Sequence, residues 1–423
     1  MTLGEYFRCP SCGQEFAIKL QMDETYKVFD WPIHVSCPSC GTEMDLYFNA
    51  EGLQPKELLI KDADRCITMG YSAVLPLTKD LYFRNLSKDE RIMASTPFMN
   101  FSFFNASFDA AGPLGAWASW LMRNLIPYRH YLSELHPLIT HEPCNVKAVS
   151  AKLAALSEAP DYKELKNEEE CVDAFMELIH ATYRNLVIRP YEGTMMKQHF
   201  NKMLGYLLKA DKNQLSLLKE KVVSVMNTHD WLWDEGTKTV ADIVGGIQKL
   251  MPAMSFAVKG VFDVPSGEEL YIMTVGYKEV DSWFASCYEA LAHFLPFVVG
   301  LNNAYKNGDA DKFVVDGSER AGILEDFAKL DASGRINAIR QDAELAAIYE
   351  PVLNNRIRNA IQHKGDKFNA TTQTIVYHYD TTDDSKVMEY RLIDVAYMVF
   401  LQLLHLLEAI QFVGILEKRL RSI

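Results

Sequence analysis

Hydrophobic and polar residues repeat with two different periods along the chain, and each period predicts a different kind of element. Near the N-terminus the period is two residues, which is typical of a strand with one buried face. Two runs share this pattern, namely Phe16, Ile18, Leu20 and Met44, Leu46, Phe48. The run "YSAVLPL" at residues 71–77 predicts a further short strand.

Farther along, the period lengthens to that of an amphipathic helix, whose buried face forms a stripe. The run "CVDAFMELIHATYRNLV" carries such a stripe at Val172, Phe175, Met176, Ile179 and Tyr183. Residues 214–229 repeat it at Leu215, Leu218, Val222 and Val225. The chain is therefore predicted to be helical from about residue 145 to residue 250, with another apolar helix at residues 116–125.

Four more helical segments are predicted in the C-terminal part, at residues 281–308, 320–330, 342–365 and 392–420. Between the last two, "TQTIVYHYDTTDDSKVMEY" alternates apolar and polar residues around a polar turn and predicts a β-hairpin. The fold class is thus predicted to be mainly α, in three parts. These are a small β module at residues 1–50, a mixed and then mostly helical region at residues 51–280, and a helical bundle with a hairpin at residues 281–423.

Composition and charge narrow the classes of protein that fit this pattern. The chain of 423 residues is 48% apolar and 23% charged, as expected of folded cores. Its most apolar long stretch, residues 110–128, is interrupted by Pro113, Arg123 and Pro127, and no signal peptide is visible. We therefore expect a cytoplasmic protein without a membrane span. The net charge of −13 argues against a general nucleic-acid coat, so an enzyme that engages RNA would need a local basic patch.

Two copies of CPSCG begin at Cys9 and Cys37 and give the spacing C-x2-C-x24-C-x2-C. Four thiolates, from Cys9, Cys12, Cys37 and Cys40, suit tetrahedral zinc, and the glycine after each pair supplies the positive φ of a tight turn. The module, about residues 5–50, resembles a zinc ribbon; the alternative is four reduced cysteines. Because cysteine fills all four positions, no open site remains for catalysis, and the zinc is expected to be structural, about one ion per chain.

The stretch "NNRIRNAIQHKG", residues 354–365, belongs to the third C-terminal helix. Its apolar positions form a stripe that predicts burial, made of Leu353, Ile357, Ala360 and Ile361. Gly365 is predicted to be the C′ residue that ends the helix, which places His363 in the last turn.

The polar residues of this helix divide between two directions. At about 100° per residue, Arg356, Asn359 and His363 lie opposite Ile357, whereas Arg358 lies roughly 140° from His363. If Arg358 and His363 form one site, the angular gap predicts that two chains build it.

The hexapeptide "RNAIQH" matches R-x4-H with a polar residue directly after the arginine. In an apolar bundle followed by a hairpin and a long final helix, it resembles the HEPN-domain ribonucleases of bacterial toxin–antitoxin and abortive-infection systems. The resemblance covers about residues 281–423. It implies a metal-independent endoribonuclease in which the RNA 2′-OH attacks the adjacent phosphate and leaves a 2′,3′-cyclic phosphate. It also implies that His363 transfers protons, Arg358 stabilises charge on the phosphate and Asn359 positions the group, usually across a homodimer.

Three further cations lie near the motif and are expected to bind RNA, namely Arg356, Lys364 and Lys367. They form the local basic patch that an acidic protein would need in order to bind RNA. By the same resemblance the expected role is a toxin-like ribonuclease in antiviral defence. Its expected partners are RNA, a second copy of the chain, and a phage-derived trigger or an antitoxin.

Two alternatives stay open at this stage. "RNLIPYRH" places Arg123 and His130 in a looser R-x6-H arrangement, although Pro127 would break that helix. The chain could also be a non-catalytic interaction protein, whose ribbon binds a partner or nucleic acid and whose bundle serves only for dimerisation.

Three other histidines are interpreted as structural residues, with no role in catalysis or metal binding. His34 lies close to Cys37, but the four cysteines complete the zinc shell, so it is interpreted as a loop residue. His293 and His405 lie in apolar helices and are expected to be core or interface residues.

Overall fold

A computed structural model describes residues 2–21, 30–37, 39–51, 54–60, 64–65, 73–78, 82–83, 129–140, 143–157, 164–187, 195–226, 235–250, 253–254, 271–272, 274–313, 323–370, 372–380, 383 and 385–422. Helices dominate these residues, and the strands form small sheets. The structure confirms the predicted fold class, which is mainly α with small β parts. The apolar helix predicted at residues 116–125 lies outside the described residues.

The strands that come first are β1 (Thr2–Arg8), β2 (Glu15–Gln21), β3 (Asp30–Ser36), β4 (Glu43–Glu51), β5 (Gln54–Ile60), β6 (Asp64–Arg65), β7 (Ala73–Thr78) and β8 (Tyr82–Phe83). They are followed by α1 (Tyr131–Thr140), α2 (Val146–Ser157), α3 (Glu168–Val187), α4 (Met195–Lys209), α5 (Lys212–Met226), α6 (Thr237–Gly245) and β9 (Tyr271–Ile272). The remaining elements are α7 (Tyr277–Asn307), α8 (Leu324–Lys329), α9 (Ala332–Ile339), α10 (Ala343–Tyr349), α11 (Asn355–Gln362), β10 (Asp366–Asn369), β11 (Thr374–His378), β12 (Val387–Arg391) and α12 (Leu392–Ser422).

The N-terminal strands form the hairpins that the two-residue period predicts. β1 pairs with β2, and β3 pairs with β4, both antiparallel. Phe16 and Met44 are buried as predicted. The other residues of those runs have side chains outside the described ones, namely Ile18, Leu20, Leu46 and Phe48. β7, the strand predicted from "YSAVLPL", adds to β2 in parallel, and β5 adds to β4.

The chain divides into two compact units, and each is assembled from separate stretches of sequence. The first unit comprises residues 1–123, 247–282 and 359–400. The second comprises residues 124–246, 283–358 and 401–423. The limits predicted at residues 50 and 280 stay a prediction.

The core of the second unit is built from the apolar faces of helices. On α3 the predicted stripe is buried at Phe175, Ile179 and Tyr183, whereas Val172 and Met176 are only half-buried. The Tyr183 hydroxyl donates a 2.6 Å hydrogen bond to the buried Glu408 carboxylate. α5 buries its own predicted stripe at Leu215, Leu218 and Val222, and the side chain of Val225 lies outside the described ones. Where the structure describes residues 145–250, the helices α2 to α6 confirm the helical prediction.

Two long helices, α7 and α12, are apolar enough to cross a membrane by length and composition. In each of them 78% of the most apolar window is buried inside the protein, and the core helix of a soluble protein passes the same test. The expectation of a cytoplasmic protein without a membrane span stays a prediction.

The segment predicted as one helix over residues 342–365 is two helices, α10 and α11, so that prediction is wrong in one respect. Pro351 lies in the turn between them and has no backbone N–H with which to continue α10. Asn354 then starts α11, because its side-chain oxygen accepts from the backbone N–H groups of Arg356 at 3.1 Å and Ile357 at 3.3 Å. The short helix α9 was not predicted.

The predicted C-terminal hairpin is confirmed as β11 and β12, which pair antiparallel. A third strand, β10, was not predicted and pairs antiparallel with β11 on its other side. Its register sets Phe368 opposite Ile375 and Asp366 opposite Tyr377. β10 follows the motif helix almost directly, so this sheet belongs to the surroundings of the motif.

A buried acid lies beside this sheet. Asp281 on α7 is 2% exposed, and one of its carboxylate oxygens accepts a 2.6 Å hydrogen bond from the Tyr377 hydroxyl. The other oxygen has no hydrogen-bond partner among the described residues. Burial raises the pKa of Asp281 to about 6, because an ionised carboxylate is poorly solvated there.

This pKa predicts a pH-dependent stability. The pKa of an aspartate in the unfolded chain is about 3.9, so the folded state holds its proton more tightly. The contribution of Asp281 is therefore most favourable below about pH 4 and is lost as the pH rises through about 6, by about 3 kcal/mol in all. We expect the free energy of unfolding of Asp281→Asn, measured in urea, to exceed that of the native sequence increasingly from pH 4 to pH 7. A difference that does not change with pH would contradict this.

Candidate functional site

The four predicted zinc ligands come together at the ends of the two N-terminal hairpins. The sulfur atoms of Cys9, Cys12, Cys37 and Cys40 all lie within 4.8 Å of one another. Two of the sulfur–sulfur distances, Cys9 to Cys40 and Cys12 to Cys37, are 3.6 Å. A tetrahedral zinc ion with Zn–S bonds of about 2.3 Å requires about 3.8 Å between sulfurs, so the donor set and its spacing fit zinc.

Each cysteine pair lies on a tight turn of the same form. The backbone N–H of Gly13 donates to the Cys9 carbonyl, and that of Gly41 donates to the Cys37 carbonyl, both at 2.9 Å. Both glycines have a positive φ, 70° and 73°, as predicted. The fold of the turns therefore holds the sulfurs together through the backbone.

The electrostatic environment of the four thiols is uneven. The Thr42 hydroxyl, 3.1 Å from the Cys40 sulfur, lowers the pKa of that thiol to about 6. Burial raises the pKa of Cys37 to about 12. Zinc must displace protons from such thiols, so its affinity is expected to fall in acid.

His34 is not a loop residue, and that interpretation is wrong. It lies in β3, directly opposite Asp45 of β4, and its Nδ1 is 2.6 Å from an Asp45 carboxylate oxygen. The alternation of the strand, rather than its distance from Cys37, determines where this ring points.

The motif helix α11 buries the predicted stripe. Leu353 and Ile357 are almost fully buried and so is Ala360, whereas Ile361 is only half-buried. Of the polar residues, Arg356 and His363 are exposed, and Arg358 and Asn359 are half-buried. Lys364 and Lys367 are also exposed, so each predicted RNA-binding cation has a side chain that solvent can reach.

The end of α11 differs from the prediction. Lys364, not Gly365, is the residue in the left-handed conformation, with φ 55°. The Lys364 N–H donates to the Ile361 carbonyl and the Gly365 N–H donates to the Ala360 carbonyl, at 3.2 and 2.8 Å. This is a Schellman end with Lys364 at C′, and it places His363 at the helix terminus.

Gly365 is required for another reason, which is its close approach to β11. A Cβ at position 365 would overlap the carbonyl oxygen of His378, and the His378 N–H donates to the Gly365 carbonyl at 2.8 Å. The glycine therefore lets the chain leave the motif helix and enter the sheet directly.

We expect Gly365→Ala to destabilise the fold by about 1–3 kcal/mol, because the backbone must move to admit the methyl group. Gly205→Ala on α4 is the matched control, since a Cβ there meets nothing within 4 Å. A glycine in a helix costs roughly 0.5–1 kcal/mol relative to alanine, so the control is expected to stabilise. Denaturation by urea measures both, and equal effects of the two variants would contradict the steric argument.

Arg358 is held by groups on α7 that the sequence did not single out. Its guanidinium forms a salt bridge with the Glu289 carboxylate, and its central carbon lies 5.9 Å from the centroid of the Tyr288 ring. The Tyr288 hydroxyl donates to the Asn355 side chain at 3.0 Å, and burial raises the pKa of Tyr288, which keeps the donor protonated. The sequence could have indicated Glu289, because an acidic residue inside an apolar helix usually needs a charged or polar partner.

The other candidate histidines are placed differently from one another. His293 is exposed, so the prediction that it lies in the core is wrong. Its predicted place in an interface stays a prediction. His405 is buried in the core as predicted, 4.9 Å from the Tyr349 ring centroid and 3.4 Å from a Glu408 oxygen. His130 is exposed, and Arg123 of the same loose motif lies outside the described residues.

Comparisons with protein-family models, with curated proteins and with solved structures found no match for this chain.

Proposed function

We propose that this protein is a metal-independent endoribonuclease of the HEPN type, with His363, Arg358 and Asn359 as its reacting and positioning groups. The observation that carries the proposal is the structure around the motif. An arginine is already held in place by a carboxylate and an aromatic ring, and an exposed histidine lies at the rigid end of the same helix.

His363 has the placement that proton transfer needs. Its ring is exposed to solvent, and hence to a substrate. The Schellman end and the close contact of Gly365 with β11 limit the backbone motion around it. An imidazole ring can both accept and donate a proton through its nitrogen atoms during one cycle.

In the proposed reaction the RNA 2′-oxygen attacks the adjacent phosphorus while its proton passes to a histidine. The bond from phosphorus to the 5′-oxygen breaks, and that oxygen receives a proton from a second acid. The products are a 2′,3′-cyclic phosphate and a 5′-hydroxyl. Two copies of His363, one from each chain of a homodimer, would supply the base and the acid.

Arg358 would stabilise the charge that develops on the phosphate. Its planar guanidinium can donate two hydrogen bonds to phosphate oxygens, which a lysine cannot match. Groups that are positioned before the reaction lower the barrier more than groups that must reorganise. Asn359 would donate its side-chain amide to the same phosphate, and Arg356, Lys364 and Lys367 would contact the neighbouring RNA backbone.

The proposed biological setting is a toxin-like ribonuclease in antiviral defence, active in the cytoplasm. The N-terminal ribbon and the middle region would restrain the nuclease or sense a trigger. A phage-derived trigger or an antitoxin would then be its partner.

The product chemistry tests the proposal. Purified, zinc-loaded protein is incubated with single-stranded RNA, with and without added Mg²⁺, and the ends are identified by mass spectrometry. We expect 2′,3′-cyclic phosphate ends in both conditions and no cleavage at a 2′-deoxy substitution. Linear 3′-phosphate or 3′-hydroxyl ends formed only with Mg²⁺, or cleavage of the 2′-deoxy position, would overturn the mechanism.

Glu289 is expected to act through Arg358 as a positioning residue. The two side chains are 37% and 23% exposed, so the ion pair is expected to contribute no more than about 1 kcal/mol to stability. Glu289→Ala should nevertheless lower the cleavage rate about tenfold, the effect of about 1.4 kcal/mol on a barrier. Glu289→Gln should restore part of the rate, because its amide oxygen still accepts from the guanidinium. Equal rates in Glu289→Ala and the native sequence would contradict this role.

A further inference from the structure

A cavity of about 310 Å³ lies within the first compact unit. The zinc-ribbon strands, the first turn of α7 and the C-terminal sheet each contribute to its lining. Its apolar lining comes from Val35, Val275 and Leu392, which are all buried. A cavity of this size falls in the range of small-molecule pockets, which combine an apolar lining with a few polar groups.

One wall of the cavity is an aromatic stack. The rings of Tyr277 and Phe368 are nearly parallel, at 17°, with centroids 4.5 Å apart. The Lys278 ammonium lies 4.7 Å from the centroid of the Tyr277 ring. A planar ring is the kind of ligand that extends such a stack, and unpaired bases of RNA are recognised by stacking on aromatic side chains.

The polar lining leaves one carboxylate available. Glu279 forms a salt bridge with Lys249, and Asp45 is hydrogen-bonded to His34. The Gln373 side-chain amide accepts a hydrogen bond from the Ile272 N–H and donates one to the Ile272 carbonyl. The Glu43 carboxylate, by contrast, has no hydrogen bond or ion pair within the part of the chain that the structure describes, and Glu43 lines the cavity.

We propose that this cavity binds a guanine base, with Glu43 accepting from its Watson–Crick edge and the Tyr277–Phe368 stack holding its face. Guanine presents N1–H and the N2 amino group side by side, which matches the two oxygens of one carboxylate. Adenine and cytosine place an acceptor beside their amino group, and uracil has one N–H between two carbonyls. The Lys278 ammonium forms a salt bridge with Asp366, and because its side chain is 65% exposed, its remaining N–H groups can donate to the O6 and N7 acceptors of guanine.

The cavity lies close to the motif along the chain. Phe368 is five residues after His363, so their Cα atoms are at most about 17 Å apart at about 3.4 Å per residue. A guanine held here would therefore belong to the RNA near the scissile phosphate. RNA as the source of the base rests on the proposed function, whereas recognition of guanine does not.

Titration calorimetry of the full chain with GMP, IMP and UMP tests the pocket. IMP lacks the N2 amino group, so one hydrogen bond to the carboxylate is lost. We expect GMP to bind at least about tenfold more tightly than IMP or UMP. Glu43→Gln and Phe368→Leu should each weaken GMP binding about tenfold, and Glu389→Gln, an exposed glutamate of the same unit outside the cavity, should not change it.

Absence of saturable GMP binding, or equal affinity for GMP and IMP, would overturn the proposal. So would unchanged GMP binding in Glu43→Gln with full zinc content, which verifies that the ribbon has folded. A 2′-O-methyl RNA hexamer with one guanine or one inosine then identifies the source of the base. We expect the guanine hexamer to bind more tightly than GMP, and the reverse order would overturn RNA as that source.

The same experiments separate this proposal from the ribonuclease. RNA cleavage together with equal affinity for GMP and IMP would overturn the pocket and leave the nuclease intact. Guanine-specific binding with no cleavage would overturn the nuclease and leave the pocket.

Discussion

Alanine at His363 is expected to lower the rate of RNA cleavage by about 10²–10⁴-fold, the usual contribution of a general acid–base group. Alanine at Arg358 is expected to lower it by about 10²–10³-fold, because a positioned donor to developing charge is lost. Single-turnover cleavage of a labelled RNA measures both rates. Both side chains are at least partly exposed, so neither substitution removes a buried core group.

His130→Ala is the matched control for this result. His130 is also exposed and follows the looser R-x6-H arrangement, but it has no proposed role in the reaction. It should retain the native rate and the native urea midpoint. A native rate in His363→Ala, or a large loss in His130→Ala, would show that the wrong motif had been assigned.

Loss of zinc is expected to unfold the N-terminal hairpins. Structural zinc binds cysteine-rich modules with an apparent free energy of about 10–16 kcal/mol, and most of this is folding free energy of the module. Cys37→Ser should therefore reduce the zinc content well below about one ion per chain and remove hydrogen-exchange protection from β1 to β4. Metal analysis and exchange measured by mass spectrometry report the two effects.

Cys144→Ser is the control for zinc loss, because Cys144 is also free and only partly exposed but lies outside the four-cysteine cluster. It should keep the zinc and the protection of the hairpins. Full zinc content in Cys37→Ser would mean that the cluster does not hold the metal. Loss of zinc with unchanged protection would mean that the hairpins do not depend on it.

The periodicity of apolar residues predicted those helices and strands that bury only one face. The stripes on α3 and α5, the hairpins around the cysteines and the hairpin of β11 and β12 follow from the sequence, because burial forces apolar residues into register. The ribbon glycines were predictable for a similar reason, since a repeated cysteine turn needs a positive φ. These are all local rules.

The errors concern tertiary contacts and turn chemistry. The apolar stripe continues on both sides of Pro351, so the stripe alone could not show the break between α10 and α11. Glu289 contacts Arg358 across 69 positions of sequence, a separation that no local pattern encodes. Lys364 occupies a conformation that glycine favours, because Gly365 is needed next to it for the approach to β11.

The first unit is assembled from three separate stretches of sequence, so the ribosome completes it only late in synthesis. Its stretches end at residues 123, 282 and 400, so the last of them is synthesised about 280 residues after the first. At about 5–20 residues per second this is a delay of about 15–55 s. For most of that time His363 itself has not been synthesised, and once it has been, β11 and β12 must still follow before its backbone is fixed. A nascent or truncated chain is thus expected to be harmless to its own messenger RNA, and activity should appear only after residue 400 has emerged.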